Sequence, residues 1–512
     1  MFAVVQSAAV QGVESCSVQV EVAFSSGLPS FTVVGLAEGA VREGRERVMA
    51  ALARVGAPVP PRRITVNLAP ADLRKEGSAF DLPVALGLLL AGEGAPAEAC
   101  AGWGFFGELG LDGALRPVRG VLAMTLACRE AGLMGVVVPA SNAREAAVVG
   151  GMRVLGAGSL HEVVHHLRGE SELVEVFLDP RALLREAGAG EEGGVEEDLG
   201  DVRGHPGVKR ALEVAAAGGH NLLLSGPPGT GKTMLARRLP GILPPMELDE
   251  AVEVTRIHSV AGILPSGGAL VARRPFRAPH HTLSDAGLAG GGNPPRPGEA
   301  SLAHRGVLFL DELPEFRRHV LEVLRQPLEE GALSISRSRH AFRFPARFML
   351  VAAMNPCPCG YLGHPSDRCR CEPGHVERYR SRVSGPLLDR IDLRVEVPPL
   401  PMEALSGGEG GDSTAEVRGR VASARVRQRR RGVINGEMGA AAIRRWAQPD
   451  PQGLRLLTDA VDRLGLSPRG YHRILRMART IADLEGEERV RGAHVAEAVC
   501  YRGGAGGSRV GG

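Results

Sequence analysis

The first part of the chain alternates apolar and polar residues with two different periods. Phe2–Val34 has the period of two that half-buried β-strands show, and Arg63–Leu68 repeats it over a shorter run. Arg42–Val55 spaces its apolar residues as an amphipathic helix does, whereas Phe80–Leu90 is an almost continuously apolar helix. Gly104–Leu115 carries the signals of a hairpin. Together these patterns predict an α+β domain.

The middle of the chain is patterned differently. Three short apolar runs, Asn221–Ser225, Val307–Leu310 and Phe348–Ala352, alternate with helical stretches. Apolar strands separated by helices are typical of a parallel sheet covered by helices on both faces. We therefore predict an α/β core in this region. Beyond it the pattern is helical throughout, and Ile474–Leu484 is the clearest amphipathic helix.

Two stretches with little to bury separate these regions. Glu186–Gly200 is rich in glycine and glutamate, and Ser406–Thr414 is similar, so each is typical of a flexible linker. The predicted organisation is an N-terminal α+β domain, a flexible acidic linker, an α/β core with a Cys-rich insertion at 357–371, a C-terminal helical lid domain and a disordered tail. These cover residues 1–175, 176–200, 201–400, 401–502 and 503–512.

Sequence composition bears on the cellular compartment of the protein. No run of residues reaches the roughly 18 apolar positions that a membrane-spanning helix needs. The N-terminus lacks the positive start and the small-residue cleavage site of a secretory signal. Eight cysteines in 512 residues do not make a disulfide scaffold. We expect a cytoplasmic protein with no membrane partner.

The net charge of +3 is weak, so any nucleic-acid binding has to come from local patches. Arg418–Arg431 carries seven arginines and no acidic residue. Such a helix contacts DNA phosphates in one interpretation and is a solvated surface in the other. A second candidate patch contains two histidines that could equally be structural: Arg273, Arg274, Arg277, His280 and His281.

A strand, a glycine-rich loop and a helix follow one another at the start of the predicted core. Leu222–Leu224 is the strand, Gly226–Thr233 reads GPPGTGKT, and Met234–Leu239 is helical. In this order the backbone amides of the loop close around phosphate oxygens, and the helix N-terminus adds partial positive charge. The sequence predicts that ATP is bound by Gly226, Pro227, Pro228, Gly229, Thr230, Gly231, Lys232, Thr233 and Met234.

The use of lysine supports this site. Lysine occurs only at Lys75, Lys209 and Lys232, although arginine is abundant. A position that keeps lysine in such a chain is expected to need a compact ammonium rather than a planar guanidinium. We assign Lys232 to the β and γ phosphates and the Thr233 hydroxyl to Mg²⁺.

Two adjacent acidic residues end the apolar run Val307–Leu310. Asp311 and Glu312 follow it directly, at the end of a strand where α/β sheets bind their ligands. We predict that Asp311 holds Mg²⁺ and that Glu312 orients and deprotonates the attacking water. The alternative is that the pair only caps a helix.

Phosphoryl transfer also requires positive charge near the transferred phosphate. There are three candidates: Asn355, which follows the strand Phe348–Ala352 and could polarise the water, Arg390, which lies near the domain edge, and Arg469, which opens a C-terminal helix. With so many arginines in the chain, residue type alone leaves this choice open.

Four cysteines crowd into one polar stretch. Cys357 and Cys359 are followed after nine residues by Cys369 and Cys371. Four thiolates suffice for a tetrahedral structural zinc site, and His364 or His375 could replace one of them. Four free thiols are the alternative.

Six segments together resemble the YifB/ComM family of magnesium-chelatase-like AAA+ proteins. They are GPPGTGKT, RPFRAPHHTLSDAGLAGGG, GVLFLDELPEF, AAMNPCPCG, SGPLLDRIDL and SPRGYHRILRMARTIADL, and they span nearly the whole chain. The resemblance implies a homo-hexameric ring with ATP between subunits. It makes Asn355 the sensor-1 residue, Arg390 an arginine finger for the neighbouring subunit and Arg469 the sensor-2 arginine. Since ComM proteins are similar to branch-migration helicases, it also implies single-stranded or branched DNA as a partner.

The N-terminal region resembles the fold of the Lon protease domain, which uses a Ser–Lys dyad. A serine is present in Lys75–Ala79, but Leu122 stands where the resemblance would place the lysine. Because a serine without a base is a poor nucleophile, we expect an inactive scaffold or a DNA-associated domain.

Three functions remain open from the sequence. The leading one is a DNA-translocating ring ATPase of the branch-migration type. The second is a chelatase-like remodeller of a protein or metallo-complex without DNA. The third is an ATP-binding regulatory protein with little turnover.

Overall fold

The computed structural model describes most of the chain. The described residues are 1–36, 39–75, 77–189, 197–265, 268–293, 295–337, 340–364, 368–400 and 411–503. They form an N-terminal α+β region, a parallel α/β core and a set of C-terminal helices packed on that core.

The N-terminal region is built on one mixed sheet of eight strands in the order β10-β9-β8-β5-β1-β2-β4-β3. Its strands, together with the separate β6–β7 pair, are β1 (Phe2–Gln11), β2 (Glu14–Ser25), β3 (Ser30–Val34), β4 (Arg63–Ala69), β5 (Trp103–Phe105), β6 (Glu108–Leu109), β7 (Leu115–Arg116), β8 (Gly135–Pro139), β9 (Arg153–Ala157) and β10 (Val174–Glu175). Its helices are Gly39–Arg54, Asp81–Ala91, Val121–Glu130, Ala143–Ala147, Leu160–Leu167 and Pro180–Ala189, with short 3₁₀ turns at Ala97–Cys100 and Ala140–Asn142.

The hydrophobic pattern accounts for the packing of this sheet. On β2, Val18, Val20 and Val22 are fully buried and face a common side, as the period of two requires. Every residue of Asp81–Ala91 is buried, because this helix lies in the core between the sheet and Gly39–Arg54. The predicted hairpin at Gly104–Leu115 is shorter than expected. Only β6 and β7 pair in that way, whereas β5 joins the main sheet in parallel with β8.

The α/β core contains a five-stranded sheet in the order β12-β15-β18-β11-β19, in which all neighbours are parallel. The remaining strands are β11 (Leu222–Ser225), β12 (Phe276–Arg277), β13 (Gly290–Gly291), β14 (Arg296–Pro297), β15 (Val307–Leu310), β16 (Ala332–Arg337), β17 (His340–Pro345), β18 (Met349–Met354) and β19 (Leu393–Glu396). Its helices are Pro206–Gly218, Lys232–Ile242, Leu248–Ala261, Asp285–Ala289, Glu299–Leu302, Arg318–Val323, Arg325–Glu330, Pro373–Arg380 and Gly385–Leu388, with a 3₁₀ turn at Leu313–Glu315.

Both faces of this sheet are buried, as the apolar strands predicted. Leu222 and Leu224 belong to one hydrophobic cluster, and Leu223 between them belongs to another on the opposite face. Because all five strands run the same way, the sheet has two chemically different edges. The chain leaves every strand at the carboxyl edge and enters every strand at the amino edge.

The C-terminal region is helical, as predicted. Its helices are Thr414–Arg430, Ala440–Trp446, Pro451–Leu464, Pro468–Leu484 and Gly492–Gly503, with a 3₁₀ turn at Asn435–Glu437. Ser413 and Glu416 form a capping box that starts the first of these helices. That helix packs on Pro206–Gly218 and Lys232–Ile242, so the lid is joined directly to the core.

The predicted linkers differ from the structure where they can be compared. The stretch 176–200 is not uniformly flexible, because Pro180–Ala189 is a helix. Glu197–Gly200 belongs to the core, since Leu199 is fully buried and Asp198 accepts a hydrogen bond from the Thr414 amide. Residues 190–196, 401–410 and 504–512 lie outside the described residues. Both linkers and the predicted tail fall partly on them.

The N-terminal region is joined to the core by a buried polar contact. Glu145 accepts hydrogen bonds from the Leu122 amide, the Asn142 side chain and the hydroxyl of Ser259 in the core helix Leu248–Ala261. Burial raises the pKa of Glu145. Among the helices of the described residues, none is long and apolar enough to cross a membrane.

Candidate functional site

The phosphate loop connects the central strand β11 to the helix Lys232–Ile242. Gly229 and Gly231 have φ values of +77° and +84°, a left-handed conformation that favours glycine. A Cβ atom on Gly226 would lie 2.2 Å from the Val397 carbonyl oxygen, so glycine is also required by packing there. The Thr230 hydroxyl donates to the Pro227 carbonyl at 3.0 Å and closes the loop. Met234 follows on the first turn of the helix and is 39% exposed.

Lys232 is held inside this loop. Its Nζ donates to the carbonyl oxygens of Gly226 and Pro227, both at 2.7 Å, and to Asn355 Oδ1 at 3.2 Å. Burial lowers the pKa of Lys232, and the nearby Asp311 carboxylate opposes that shift. The ammonium is therefore positioned by oxygen acceptors at the centre of the loop, where phosphate oxygens would replace them as partners.

The side chains of Thr233 and Asp311 are in contact, although the strands that precede them, β11 and β15, are separated by β18. The Thr233 hydroxyl donates to Asp311 Oδ2 at 2.7 Å, although the two residues are 78 positions apart in the chain. β18 lies between β11 and β15, and all three strands end at the same edge of the sheet. A hydroxyl and a carboxylate oxygen this close are the hard donors that Mg²⁺ prefers. These two residues fit a magnesium site.

Glu312 lies beside Asp311 in an unusual backbone conformation. Its φ is +51° and its amide donates to Asp311 Oδ1 at 2.9 Å, so the backbone is fixed. Its side chain is 57% exposed and lies 3.5 Å from Nδ1 of His281. Sequence reasoning placed His281 in a candidate basic patch and did not connect it with Glu312.

Asn355 reaches the same edge from β18. It follows the strand directly and accepts the hydrogen bond from Lys232. The structure thus brings together five residues proposed from separate motifs: Lys232, Thr233, Asp311, Glu312 and Asn355.

Comparisons with known proteins place this arrangement in a family. Three family models of magnesium chelatase match the chain. Subunit ChlI of Mg-chelatase matches residues 20–142, magnesium chelatase subunit ChlI matches 198–405, and the ChlI C-terminal region matches 411–502. Competence protein ComM of Haemophilus influenzae is 46% identical over 505 residues, which cover 98% of this chain and 97% of that protein. The chain belongs to the YifB/ComM family of magnesium-chelatase-like AAA+ ATPases.

Two further relatives define the range of the similarity. The uncharacterized protein YifB of Escherichia coli is 43% identical over 501 residues, covering 98% of this chain and 96% of that protein. The magnesium-chelatase 67 kDa subunit of Heliobacterium mobile is 29% identical over 227 residues, covering 39% of this chain and 32% of that protein. The similarity to YifB and ComM therefore extends over nearly the full length, whereas that to the chelatase subunit is partial.

Arg390 and Arg469 lie away from the phosphate loop. Both line a cavity of about 590 Å³ that also contains Asn221, Gly306 and Met349. These last three residues stand at or just before the beginnings of β11, β15 and β18. The cavity is therefore at the amino edge of the sheet, opposite the edge that carries Lys232, Asp311 and Asn355.

Glu329 connects the two arginines in this cavity. Arg390 is only 5% exposed and donates to Glu329 Oε1 and, at 2.6 Å, to the Pro386 carbonyl. Arg469 is 67% exposed and lies 3.8 Å from the same Glu329 oxygen. A finger role for Arg390 would require its guanidinium to leave Glu329, and no motif in the sequence indicates this pairing.

The four cysteines form one compact cluster, as their spacing predicted. Their sulfur atoms all lie within 4.8 Å of one another, with Cys357 3.4 Å from Cys359 and 3.7 Å from Cys369. A zinc ion with Zn–S bonds of about 2.3 Å sets tetrahedral S···S distances of about 3.8 Å, so the thiols fit zinc. A backbone hydrogen bond from Tyr361 lowers the pKa of the Cys359 thiol to about 6, whereas hydrogen bonds with Cys359 raise the pKa of its neighbours Cys369 and Cys371. The fit to zinc therefore rests on the sulfur–sulfur distances.

This cluster is packed against the phosphate loop. Gly360 has a φ of +85°, and a Cβ atom there would lie 2.7 Å from Cδ of Pro228. Cys357 is buried and stands two residues after Asn355. Residues 365–367 of the Cys-rich insertion lie outside the described part of the chain.

The two candidate basic patches are largely occupied by contacts within the chain. In the helix Thr414–Arg430, Arg420 pairs with Glu213 and Asp412, and Arg429 lies 2.5 Å from Glu247. Val417, Val421, Ala424 and Gln428 lie on the buried face of this helix.

The second patch is occupied in the same way. Arg274 donates to Glu250 at 2.9 Å, and Arg277 makes two 2.7 Å hydrogen bonds with Glu299. Carboxylates thus hold Arg274 and Arg277 in this patch, and Arg420 and Arg429 on the helix. The helix still presents exposed arginines opposite its buried face, since Arg427 and Arg430 are exposed.

The N-terminal region has no lysine beside its serine among the described contacts. Ser78 donates to Glu108, and Leu122 is fully buried in the core. A carboxylate partner and a buried leucine do not form a Ser–Lys dyad.

Proposed function

We propose that this AAA+ ATPase is a ring-forming motor that hydrolyses ATP between subunits and acts on DNA. One observation carries the proposal. The residues assigned to phosphate and Mg²⁺ lie at the carboxyl edge of the sheet, whereas Arg390 and Arg469 line a cavity at the amino edge. If these two arginines act on the nucleotide, a second copy of the chain is needed to bring them to the carboxyl edge. Head-to-tail contacts of this kind generate closed rings, and the family resemblance favours six subunits.

Each residue at the carboxyl edge has a distinct task. Lys232 and the loop amides bind the triphosphate, and Asn355 fixes the ammonium while remaining within reach of the attacking water. Thr233 and Asp311 would hold Mg²⁺, which supplies a positive charge that neutralises the phosphate oxygens when bound. Glu312 orients the water and accepts its proton. Arg390 and Arg469 of the neighbouring subunit would stabilise charge on the transferred phosphate.

The proposal of DNA as the substrate is supported by the similarity to a competence protein over nearly the whole chain. The charge of the surface supports it less, because Arg420 and Arg429 of the basic helix are paired with carboxylates. Arg427 and Arg430 on that helix are exposed and remain candidates for phosphate contacts.

Glu312→Gln tests the motor. The variant should bind ATP normally and hydrolyse it at least about 100-fold more slowly, because the amide cannot accept the water proton. Turnover by the unaltered protein should rise on adding branched or single-stranded DNA, and less so at high salt. Normal hydrolysis by the variant would contradict the assignment of Glu312.

A chelatase-like remodeller without DNA is the second candidate. The partial similarity to a magnesium-chelatase subunit and the pairing of the basic helix favour it. ATP turnover that ignores DNA at low salt would select it. Negligible turnover under both conditions would select the regulatory ATP-binding protein.

We further propose that Cys357, Cys359, Cys369 and Cys371 hold a structural zinc ion. The distances between the four sulfur atoms support this proposal. Four cysteine thiolates are also a common ligand set of structural zinc sites. Elemental analysis of the purified protein should find about one zinc per chain. Less than about 0.3 zinc per chain would count against the site.

A further inference from the structure

A third group of arginines surrounds the cysteine cluster. Residues 368–382 contain five arginines and two acidic residues. Cys369 and Cys371 direct their sulfur atoms into the cluster, so the adjacent Arg368 and Arg370 are left on its outside, and both are exposed. The cluster therefore presents two guanidinium groups to the solvent.

The helix Pro373–Arg380 adds two more arginines beside the cluster. Arg378 and Arg380 are exposed on this helix. Arg380 Nε donates to the carbonyl oxygen of Pro356 at 3.2 Å, and Pro356 directly precedes Cys357. The helix and the cluster therefore form one module. Its four arginines, which we call the cysteine-cluster surface, are Arg368, Arg370, Arg378 and Arg380.

The charge of this surface is not cancelled by ion pairs within the chain. Arg382, the fifth arginine of the segment, pairs with Glu315 at 3.0 Å and is left out of the surface for that reason. Glu372 and Glu377 belong to the same segment, but among the ion pairs of the described residues none joins them to the surface. The surface thus differs from the two basic patches described above, in which carboxylates hold several arginines.

The guanidinium groups also keep terminal N–H groups for a ligand. The hydrogen bonds described for Arg378 and Arg380 both start at Nε and end on backbone carbonyls. Arg368 lies over the ring of Tyr361, 6.0 Å from the centroid. A stacked guanidinium still presents the donors at its edge, and arginine binds phosphate through two parallel N–H groups. These side chains can therefore bind phosphate without giving up a described contact.

We propose that the cysteine-cluster surface binds the phosphodiester backbone of DNA. The inference rests on the proposed function as a DNA motor, and it names the surface that contacts the DNA. Several guanidinium groups in one module neutralise several phosphates of one strand and release their counterions, which makes binding dependent on salt.

The position of this surface connects DNA with the ATP site. A Cβ atom on Gly360, within the cluster, would lie 2.7 Å from Cδ of Pro228 in the phosphate loop. Burial raises the pKa of Tyr379 to about 12, and a backbone hydrogen bond with Asn355 opposes that shift. The cluster therefore contacts the phosphate loop, and the helix that carries Arg378 contacts the residue after β18. We expect the stimulation of ATP turnover by DNA to depend on this surface.

The test compares two triple variants of the full-length protein. The first combines Arg368→Ala, Arg370→Ala and Arg378→Ala, and it leaves Arg380 in place because that side chain holds the helix on the cluster.

The second triple variant is the matched control. It combines Arg444→Ala, Arg455→Ala and Arg463→Ala, at three exposed arginines on the lid helices Ala440–Trp446 and Pro451–Leu464. Both variants lose the same charge, so a difference between them depends on where the arginines lie.

The affinity for a fluorescein-labelled single strand of about 30 nucleotides is measured by anisotropy over a series of salt concentrations, with a non-hydrolysable ATP analogue present. The first variant should bind at least about tenfold more weakly at low salt. Its slope of log affinity against log salt should become shallower by about 2, because each lost phosphate contact accounts for about 0.7 on a single strand. The control should stay within about twofold and keep its slope. In the first variant, ATP turnover without DNA should be unchanged within about twofold, whereas its stimulation by DNA should be lost.

Arg378→Glu keeps the test decisive if the first variant loses the metal of its cluster. This substitution leaves the residues beside the thiols unchanged and should weaken DNA binding about fivefold, whereas Arg455→Glu should have less than a twofold effect. Equal affinities of Arg378→Glu and the unaltered protein would overturn the inference.

Two further outcomes would also overturn it. Equal losses in the two triple variants would mean that the overall charge, and not this surface, governs binding. Loss of zinc from the first variant with unchanged DNA affinity would mean that its arginines only balance the charge of the thiolates. If the unaltered protein does not bind the strand at low salt, the proposed DNA function fails and the surface is rejected with it, whereas binding that every variant retains rejects the surface alone.

Discussion

The two edges of the core sheet contain very different chemistry. At the carboxyl edge, backbone carbonyls of the phosphate loop and one amide side chain surround a single ammonium group. Lys232 donates hydrogen bonds to the loop carbonyls and to Asn355. The amino edge is a cavity in which arginines meet carboxylates, with Arg390 held by Glu329 and Arg473 by Asp392. Both edges belong to the same five strands, so their difference follows from where each chain segment enters and leaves.

On the proposed function, a single subunit is ready to bind a nucleotide and still lacks part of its site. The phosphate loop is shaped by local backbone geometry and needs no partner. Arg390 is nearly fully buried, and moving it out of its pair with Glu329 leaves a carboxylate without its cation. Such an exchange is favourable only if a new anion replaces the old one. A triphosphate presented by a neighbouring subunit would supply that anion.

The largest effect is expected from Lys232→Ala at the carboxyl edge. Loss of the ammonium should weaken ATP binding at least about 100-fold, since a charge-assisted contact with phosphate is removed. Titration with a fluorescent ATP analogue measures the affinity. Arg237→Ala is the control, because Arg237 is exposed on the same helix one turn and a half further on. Comparable losses in both variants would show that the helix, not the ammonium, is responsible.

A mixing experiment tests whether the two edges act in different subunits. Lys232→Ala and Arg390→Ala should each be nearly inactive alone. In an equal mixture, about one quarter of the interfaces would join an intact loop to an intact arginine, so about one quarter of the normal turnover should return. The measurement is steady-state ATP hydrolysis across a series of mixing ratios. No recovery at any ratio would mean that one subunit must supply both Arg390 and Lys232 to a working site, which contradicts the proposed arrangement.

The sequence predicted the carboxyl edge well because its signals are local. The loop at Gly226–Thr233 requires glycines at fixed positions, and the acidic pair follows a recognisable buried strand. The parallel order of the strands then makes it necessary that Thr233 and Asp311 meet. The motifs therefore predicted the residues of the site, and the one feature that they did not contain is the order of β11, β18 and β15 in the sheet.

The amino edge and the position of His281 were less predictable, because they depend on pairing between distant segments. Glu329 lies 61 residues before Arg390, and nothing in either segment indicates their contact. The basic helix Thr414–Arg430 illustrates the same limit. Its arginines suggested a DNA surface, yet Glu213 and Glu247, which hold two of them, come from elements that precede it by more than 160 residues.

Gly360→Ala, a substitution in the cysteine cluster, should weaken ATP binding at the carboxyl edge. The new methyl group would press on Pro228, which lies 2.7 Å from the Cβ position, and should weaken ATP binding about tenfold. Gly363→Ala is a matched control, because it has a similar φ of +76° but no atom within 4 Å of its Cβ position. ATP titration of both variants measures the difference. Equal affinities would mean that the cluster does not bear on the phosphate loop.

The smallest expected effect concerns the amino edge and its response to acid. His220 is fully buried at that edge, where its Nε2 lies 2.8 Å from the Thr480 hydroxyl of the lid helix Pro468–Leu484. Burial lowers the pKa of His220 from 6.5 to about 4. The charged groups that act on the ring come from the adjoining strand and two C-terminal helices: Asp392, Arg425, Arg473 and Arg476.

Because the folded pKa is the lower one, the unfolded chain takes up the proton first as the pH falls. The contribution of neutral His220 to stability is therefore complete above pH 6.5 and is lost progressively toward pH 4. Between pH 7.5 and pH 5.5 this loss is about 1 kcal/mol. His220→Gln keeps a hydrogen-bonding side chain without the titration, so its melting temperature should fall less than that of the unaltered protein over this range. Parallel declines in the two proteins would show that His220 does not join the lid to the core in a pH-dependent way.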